Sequence, residues 1–493
     1  MIAVKTYQDL LEVGANESAR MAFILAAIND HKASDLYKTA VDARLYYQGE
    51  NPTISRYEKV IYDMKGLAHK DMYTANHKIK SKFFQIVVDQ ENSYLLGNGV
   101  MLKSGANKDR LGKDLDQQLS RAAENALIGG VAFGFWNLDH IEVFKITEFV
   151  PLYDEENGAL MAGIRFWQIS ESKPLRCTLY EPDGFTEYIK RSGEDMAELR
   201  AKRTYIIHTT SAELESTKIY EGENYPTFPI VPLKNNEDSR SELCGGRNTI
   251  DALDIVRSGM VNNVDEGSII YWALTNCGGM DYDDAEKFLR TVKSTHVAFM
   301  DNADDGAHAE PHTVEMPVDS SQAAVEMLRR ALFEDFQAID TGDDTLNAST
   351  ATGIKFRYTA LDLKTDKFER QVTTFLHGIF ELAGVDDEPS YTRNQIINKQ
   401  EEMQTLSMMA PYVDDKYTTT KSLTIMGDAD MVEEVLDRRA EDDLGRFDGG
   451  GEQEASGGLI SAIKKAIGIL AKAIGLKIFS GSDVEEEDQD AEM

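Results

Sequence analysis

The chain has 493 residues, 42% of them hydrophobic, so it can bury a sizeable core in one large subunit or in several domains. Its 85 Asp and Glu residues against 52 Lys and Arg residues give a net charge of −33, the opposite sign from a protein that holds nucleic acid by neutralising phosphates. The acidity either keeps the protein soluble or lets it handle polyanions without adhering to them.

The three cysteines lie far apart and form no CxxC pair, so their spacing predicts neither a zinc site nor a disulfide framework: Cys177, Cys244 and Cys277. The first residues carry no signal-peptide pattern, and no run of about 18 uncharged apolar residues occurs. We therefore expect a soluble intracellular product with no membrane partner.

The N-terminal region predicts helices, with amphipathic segments beginning near Thr6, Ser18 and Lys32 and with Pro52 ending the last of them. Residues 76–100 read NHKIKSKFFQIVVDQENSYLLGNGV. Their apolar residues fall near helical spacing before two glycines, which predicts a buried helix that ends close to Gly97.

From Gly130 the sequence pattern changes to short segments that are rich in β-branched and aromatic residues. Turns such as DEENG and EPDG separate these segments. This pattern predicts an antiparallel meander over about residues 130–235.

Two long helices are predicted next, at 248–276 and 320–340. The apolar stripe of the first is Leu253, Val256, Met260, Val264 and Gly267, and that of the second is Leu328, Leu332, Phe336 and Ile339. Between them a compact α/β insertion is expected, with a helix at DDAEKFLRTVK and strands at THVAFMD and HTVEMPV.

The segment 341–353 is small and polar, a long helix is predicted to follow it, and residues 396–445 are again helical. Beyond the linker at 449–458, an isoleucine-rich stripe lies beside three lysines. It predicts either a membrane-surface helix or packing on a neighbouring subunit, and the acidic C-terminal tail favours the second.

Catalytic patterns are not found. GANKDRLGKD (105–114) fails as a P-loop because six residues separate its glycines, and Asp114 stands where a hydroxyl must meet magnesium. DNADDG (301–306) fails as a calcium loop because Ala303 occupies a ligand position and His312 replaces the bidentate Glu. We expect no enzyme, no metal and no cofactor, although clustered carboxylates leave a nuclease-like pair open.

Residues 76–100 resemble the hallmark segment of phage portal proteins of the SPP1 type, in which an Asn-rich lead runs into "FF..IVDQ...YLLG". Further similar segments follow in the family's order: LYYQGENPTI (45–54), FPIVPLKNNEDSRSEL (228–243) and TATGIKFRYTALDLKTDKFER (350–370). Together they span about residues 40–430. Thr352 departs from the usual Ser before Gly353, and no counterpart is recognised after about residue 447.

The resemblance implies an α+β fold, namely an elongated portal subunit with a wing of helices and antiparallel β meander, a two-helix stem, a small α/β clip and a helical crown. The implied boundaries are 1–247 for the N-terminal helices and β-rich wing, 248–276 for stem helix 1, 277–318 for the clip, 319–340 for stem helix 2, 341–353 for the tunnel loop, 354–395 for a long wing helix, 396–446 for the crown, and 447–493 for a flexible linker, amphipathic helix and acidic tail.

The function implied is a homo-oligomeric ring, typically a 12-mer, at the portal vertex of a virion capsid. It would be made in the host cytoplasm and would be the channel for DNA packaging and ejection, with non-specific, transient contacts to double-stranded DNA. The partners implied are the terminase large subunit, head-completion or adaptor proteins, and the major capsid and scaffolding proteins.

Three groups of site residues follow from the resemblance. The tunnel loop would present Thr345, Leu346, Asn347, Ser349 and Thr350, whose hydroxyl and amide groups can hydrogen-bond phosphate without fixed charge. The clip would present Asp281, Asp283, Lys287, Arg290 and Lys293. Subunit packing would use Phe83, Phe84, Tyr94 and Leu95, with burial inside their own subunit as the alternative.

Two rival functions remain open. One is a different phage structural component, such as a minor capsid or adaptor protein. The other is a metal-dependent nuclease built on clustered carboxylates.

Overall fold

The computed structural model describes residues 5–62, 65–72, 74–211, 218–267, 270–275, 281–295, 308–312, 318–340, 342, 351–394 and 399–426, with isolated positions between 432 and 438. These residues form a mixed helix and antiparallel sheet structure in two units, 1–396 and 397–493. The acidic loop at 301–306 and the C-terminal region 447–493 lie outside the described residues.

The chain opens with four helices: α1 (Tyr7–Val13), α2 (Glu17–Ala33), α3 (Asp35–Tyr47) and α4 (Pro52–Arg56). The prediction that Pro52 ends a helix is wrong, because Pro52 is the first residue of α4. A proline at this position loses no helical hydrogen bond. The Asn51 side chain caps α4 by accepting from the N–H groups of Thr53 at 2.9 Å and Ile54 at 3.3 Å.

A two-stranded hairpin, β1 (Val60–Tyr62) and β2 (Ala68–Lys70), leads to the predicted helix α5 (Phe83–Leu96). After β3 (Val100–Met101) and the short α6 (Gly105–Arg110), α7 (Leu115–Gly129) ends at Gly130, whose φ of 87° is the left-handed conformation that favours glycine.

The predicted meander is confirmed. Its strands are β4 (Val131–Asn137), β5 (His140–Lys145), β6 (Phe149–Tyr153), β7 (Leu160–Trp167), β8 (Leu175–Glu181), β9 (Gly184–Lys190), β10 (Met196–Arg203), β11 (Ile206–Ser211), β12 (Lys218–Glu223) and β13 (Ile230–Lys234). They form a five-stranded sheet in the order β10-β9-β8-β7-β6, a three-stranded sheet in the order β13-β4-β5, and the β11–β12 hairpin, all antiparallel.

Apolar packing joins these layers. Aromatic side chains fill the space between the five-stranded and three-stranded sheets, among them Phe133, Phe144 and Phe149. The other face of the five-stranded sheet packs on α1 and α2 through residues such as Ile24 and Ile28. The largest cluster surrounds α5 and α7 and includes side chains from the C-terminal part of this unit, such as Leu332 and Phe375.

The helix predicted at 248–276 is shorter than expected: α8 (Arg247–Gly267) ends nine residues early, and β14 (Tyr271–Thr275) follows it. β14 pairs with β15 (His308–His312), and α9 (Tyr282–Thr295) lies between them in sequence. The insertion is therefore α/β as predicted, but its described strands lie outside THVAFMD and mostly outside HTVEMPV. The aromatic and β-branched residues of YWALT favour a strand, and this preference overrides the helical pattern that continues past the end of α8.

The second long helix, α10 (Val318–Asp335), ends where Gln337 takes a φ of 53°. The described chain resumes with α11 (Ala351–Ala383) and β16 (Ser390–Tyr391), which pairs with β3. The apolar stripe predicted for the second long helix is confirmed at Leu332, Phe336 and Ile339, which are all buried.

The C-terminal unit contains α12 (Lys399–Met409) and α13 (Asp415–Met426), separated by a short 3-10 turn at Ala410–Tyr412. Within the described residues, the predicted helical character of 396–445 is therefore present.

Candidate functional site

Helix α5 carries a buried charged residue in the middle of its apolar surface. Glu91 has 1% of its surface exposed, and its Oε2 atom lies 2.8 Å from the Lys364 Nζ of α11. The same Nζ lies 2.6 Å from Glu242 Oε1, just before α8, and donates to the Phe336 carbonyl at 3.0 Å. One ammonium therefore connects α5 and α11 to the chain before α8 and to the end of α10.

The charge state of this cluster follows from burial. Burial raises the pKa of Glu91 to about 7, with Lys364 opposing the rise and Glu242 adding to it. For Lys364, burial lowers the pKa, but the two carboxylates outweigh burial and raise it overall. The lysine is therefore charged at neutral pH, and one of two carboxylates that share a single cation is readily protonated.

Both described flanks of the predicted tunnel loop attach to α5. On the side before the loop, the Gln90 side chain accepts from the Ile339 N–H at 2.9 Å and donates to the Ile339 carbonyl at 3.0 Å. On the side after it, the Tyr94 hydroxyl donates to Asp362, and the Tyr94 ring stacks on Tyr358 with centroids 5.5 Å apart.

A further contact fixes the chain directly before the loop. Arg329 of α10 pairs with Asp340 at 2.5 Å, and Asp340 accepts from the Gly342 N–H at 3.0 Å. The five predicted channel residues lie outside the described residues: Thr345, Leu346, Asn347, Ser349 and Thr350. What the structure does describe is a pair of anchored ends for that segment.

The four residues predicted to pack between subunits are all buried within this chain, with exposed fractions of 6% or less: Phe83, Phe84, Tyr94 and Leu95. Phe83 and Phe84 contact Phe336, with ring centroids 5.8 Å and 6.4 Å away. These side chains therefore pack inside their own subunit, and a contact between them and a second subunit stays a prediction.

A second polar arrangement runs along α8. Its buried residues after Leu253 are not the predicted apolar stripe but Asp254, Ser258 and Asn262, while Val264 is exposed. These three side chains accept hydrogen bonds from backbone N–H groups of an extended segment, from Ser81 at 3.0 Å, Ile79 at 2.9 Å and His77 at 2.6 Å respectively.

Geometry explains the pairing. Alternate residues of an extended chain lie about 6.6 Å apart, and every fourth residue of a helix lies about 6 Å apart. A helix can therefore bind alternate N–H groups of a strand that runs antiparallel to it. We call residues 77–81 the strap. The Asp254 side chain is fully buried, and burial raises its pKa despite the hydrogen bonds that Asn51 and Ser81 donate to it.

The predicted clip residues lie on or just before α9. Asp281 accepts from the Asp284 N–H at 3.0 Å, Lys287 pairs with Asp284 at 3.3 Å, and Arg290 pairs with Glu286 at 2.6 Å. Asp283 is exposed in the first turn, and Lys293 belongs to α9 although its side chain is not described. Phe288 turns the other way and packs edge-on against Trp272 of β14, with centroids 5.8 Å apart.

The described part of the chain lacks the features of metal-dependent and membrane-spanning proteins. No group of three or more His, Cys, Asp or Glu residues there is arranged to hold a metal ion. None of its helices is long and apolar enough to cross a membrane. Burial raises the pKa of the Cys177 thiol to about 12, so the thiol is protonated at neutral pH.

Comparisons with known proteins agree with one another. A family profile described as "Phage portal protein, SPP1 Gp6-like" matches residues 26–443. The portal protein of Bacillus phage SPP1 is 24% identical over 402 residues, which are 76% of this chain and 76% of that protein. The portal protein of Clostridium phage phiCD119 is 22% identical over 394 residues, 73% of this chain and 84% of the relative.

Two solved structures of gene transfer agents also match. A chain of the native particle's virion has a TM-score of 0.39 and 10% identity, covering 70% of this chain and 88% of that one. A chain from the neck of the empty particle has a TM-score of 0.40 and 10% identity, covering 70% and 90%. Similarity this distant carries no argument for function.

The buried cation predicts a large stability loss in Lys364→Met. Removing the ammonium leaves the buried Glu91 carboxylate beside the half-buried Glu242 with no cation to pair them, which costs about 3–5 kcal/mol of unfolding free energy. Urea unfolding followed by circular dichroism measures the loss. Lys367→Met, an exposed position on the same helix, is the matched control and should change little.

The loss should depend on pH. Because the folded pKa of Glu91 is raised to about 7, its protonated form stabilises the fold at low pH, and that stabilisation is lost as pH rises through neutrality. In Lys364→Met no cation offsets the negative charge of ionised Glu91. The loss of unfolding free energy in this variant should therefore be larger at pH 8 than at pH 5. A deficit that is equal at both values, or as small as that of the control, would contradict the role of the cation.

The strap predicts a local effect of Asn262→Ala. The variant leaves the His77 N–H without its side-chain acceptor, so hydrogen exchange of that amide should accelerate about tenfold, which corresponds to about 1–2 kcal/mol. Hydrogen–deuterium exchange of a peptide covering residues 74–82 measures it. Asn263→Ala, the exposed neighbour, controls for the change in helix propensity. Equal exchange in the two variants would show that the side chain at 262 does not hold the strap.

Proposed function

This chain belongs to the SPP1 Gp6-like family of phage portal proteins, and we propose that its subunits form a closed ring at one capsid vertex, through which DNA is packaged and ejected. The observation that carries the proposal is the family match over residues 26–443, which includes every anchored element around α5. Portal proteins are structural, so the chain is proposed to be a conduit and assembly platform, with ATP hydrolysis in a separate motor.

The parts are assigned as follows. The wing comprises 1–247 and 354–395, the stem helices lie within 248–276 and 319–340, the clip is 277–318, the tunnel loop is 341–353 and the crown is 396–446. The clip would meet the terminase large subunit and later the head-completion protein, while the remaining surfaces would contact the major capsid and scaffolding proteins.

The net charge of the subunit supports the passage of DNA rather than its tight binding. A channel that neutralised many phosphates would hold DNA tightly, with strong salt dependence, and would slow its movement. A subunit with a net charge of −33 does not neutralise phosphates overall, so it should let DNA move instead of holding it. Hydroxyl and amide groups of the loop at 341–353 would then make only brief contacts with the phosphate backbone.

The anchored loop ends support the assignment of 341–353 to the channel. The chain before this segment is held at Phe336, Ile339 and Asp340, and the chain after it at Tyr358 and Lys364. Both described flanks of this segment are therefore tied to the body of the subunit through α5, as expected of a segment that contacts moving DNA.

Native mass spectrometry tests ring formation directly. Twelve copies of a 55.1 kDa chain give a particle of about 660 kDa. We expect a single dominant closed oligomer near this mass, since cyclic symmetry favours one subunit number. A chain that stays monomeric at every protein and salt concentration would contradict the proposed function.

The motor-docking assignment of the clip predicts the effect of Lys287→Glu with Arg290→Glu. Both side chains are at least 75% exposed, and their ion pairs within α9 are worth only tenths of a kcal/mol, so the fold and the ring should persist. Reversing both charges should weaken binding of the terminase large subunit at least about tenfold. A pull-down titration with the assembled ring measures it.

The matched control is Lys173→Glu with Arg191→Glu, which reverses the same number of charges at exposed turns of the five-stranded sheet. The control should bind the motor like the unmodified ring. If the α9 variant does the same, the docking surface lies elsewhere.

A further inference from the structure

The C-terminal unit exposes a group of large apolar side chains around the turn between α12 and α13. Their exposed fractions are 75% for Met408, 48% for Met409, 88% for Tyr412 and 48% for Tyr417. All four lie at or beside the Ala410–Tyr412 turn, within a short stretch of sequence, and we call them the turn patch. A contiguous apolar group indicates an interaction surface, and methionine side chains adapt readily to a partner.

The two helices bury little apolar surface of their own. Among the described side chains of α12, the turn and α13, the buried ones are Leu406, Thr418 and Thr419, and only the first is apolar. Helices of 11 and 12 residues are marginally stable unless they pack on another element. A further apolar element is therefore expected on this pair.

The same chain contains an element of this kind. Residues 459–479, which lie outside the described residues, read LISAIKKAIGILAKAIGLKIF. Their pattern predicts an amphipathic helix. Its apolar stripe is Ile460, Ile463, Ile467, Leu470 and Ile474. This stripe and the turn patch each present an apolar surface that the other can bury.

Charge complements the apolar match. Residues 459–479 contain four lysines and no acidic residue, in a chain with a net charge of −33. The preceding part of the C-terminal unit, residues 399–448, holds 13 Asp and Glu against six Lys and Arg. Two of these carboxylates, Asp414 and Asp415, are exposed directly after the turn patch residue Tyr412. A lysine-rich segment is therefore attracted to this unit.

Chain length brings the segment within reach of the turn patch. The 32 residues between Met426 and residue 459 include the glycine-rich stretch 449–458. A flexible chain of this length spans about 30 Å on average, whereas α12 is only about 16 Å long. A tethered segment meets the patch of its own subunit at an effective concentration on the order of millimolar.

We propose that residues 459–479 dock on the turn patch of the same subunit, with their apolar stripe against Met408, Met409, Tyr412 and Tyr417. The docked segment supplies the apolar element that α12 and α13 need, and its lysines face the acidic residues of the unit. The inference goes beyond the proposed function, because this docking does not require a ring.

Protection of the segment's lysines from trypsin measures docking in the full chain. Ile463→Ser with Leu470→Ser, the stripe variant, removes two residues of the apolar stripe. Met408→Ser with Tyr412→Ser, the patch variant, removes the most exposed part of the turn patch. In both variants, cleavage within residues 459–479 should accelerate at least about tenfold, because trypsin cuts the undocked state.

The matched control is Ile469→Ser with Leu476→Ser. It changes the same two residue types at the same spacing, on the opposite side of the predicted helix. The control should be cleaved like the unmodified chain, and circular dichroism checks that all variants are folded. Hydrogen exchange of a peptide covering residues 403–426 gives a second readout, which should accelerate in the stripe variant and not in the control.

Equal cleavage and equal exchange in the stripe variant and the control would overturn the inference. Co-expression of the stripe and patch variants identifies the copy that is bound, because no single copy then carries both intact surfaces. Cleavage should stay fast in that mixture, and restored protection would show docking between copies, which overturns the inference.

A membrane is tested with vesicles of phosphatidylglycerol and phosphatidylcholine in equal amounts. Protection that occurs only when vesicles are present would show that the segment binds lipid, which also overturns the inference. Native mass spectrometry of the same samples detects rings independently. A chain that forms no ring yet protects its lysines would contradict the proposed function and leave this docking supported.

Discussion

One buried ammonium determines how this subunit is arranged. Lys364 pairs with the buried Glu91 and the half-buried Glu242, and it also donates to the Phe336 carbonyl. Buried charges are tolerated only when they are paired, so the four chain segments that supply these groups must be placed correctly relative to one another. Apolar side chains around α5 could be buried in many relative arrangements of these segments. The charge cluster is satisfied in only one of those arrangements.

The second constraint is the recognition of backbone by side chains. Along α8, polar residues at every fourth position hold an extended strap by its N–H groups. The strap joins the exposed hairpin to α5, so the hairpin starts from a fixed position. An exposed hairpin, a bound strap and a buried helix thus follow one another within a short stretch of sequence, residues 57–96.

The sequence predicted much of this structure, and the failures have physical causes. The helices at α2, α3, α5 and α11 and the meander were predicted because their burial is apolar and periodic. The end of α8 at Gly267 was missed because YWALT fits a helix and a strand equally well until its partner β15 is known. Glu91 was missed because a carboxylate inside an apolar helix gives no signal without Lys364, which is 273 positions further along the chain.

The strap could have been found in part. Asp254, Ser258 and Asn262 repeat at the spacing of one helix face, but polar residues at that spacing normally indicate a solvated surface. The family resemblance indicated which segments matter without indicating why. In the structure, the segment NHKIKSKFFQIVVDQENSYLL is a strap followed by an anchoring helix, and its four predicted subunit contacts are buried inside their own subunit.

The most direct test of the central claim is a three-dimensional reconstruction of the assembled particle by electron cryo-microscopy. The account predicts an axial opening with residues 341–353 of every subunit closest to the axis, and with α5 set back behind them and joined to both loop ends through Gln90, Tyr94 and Lys364. A particle without an opening, or one in which residues 341–353 lie on the outer rim, would contradict it.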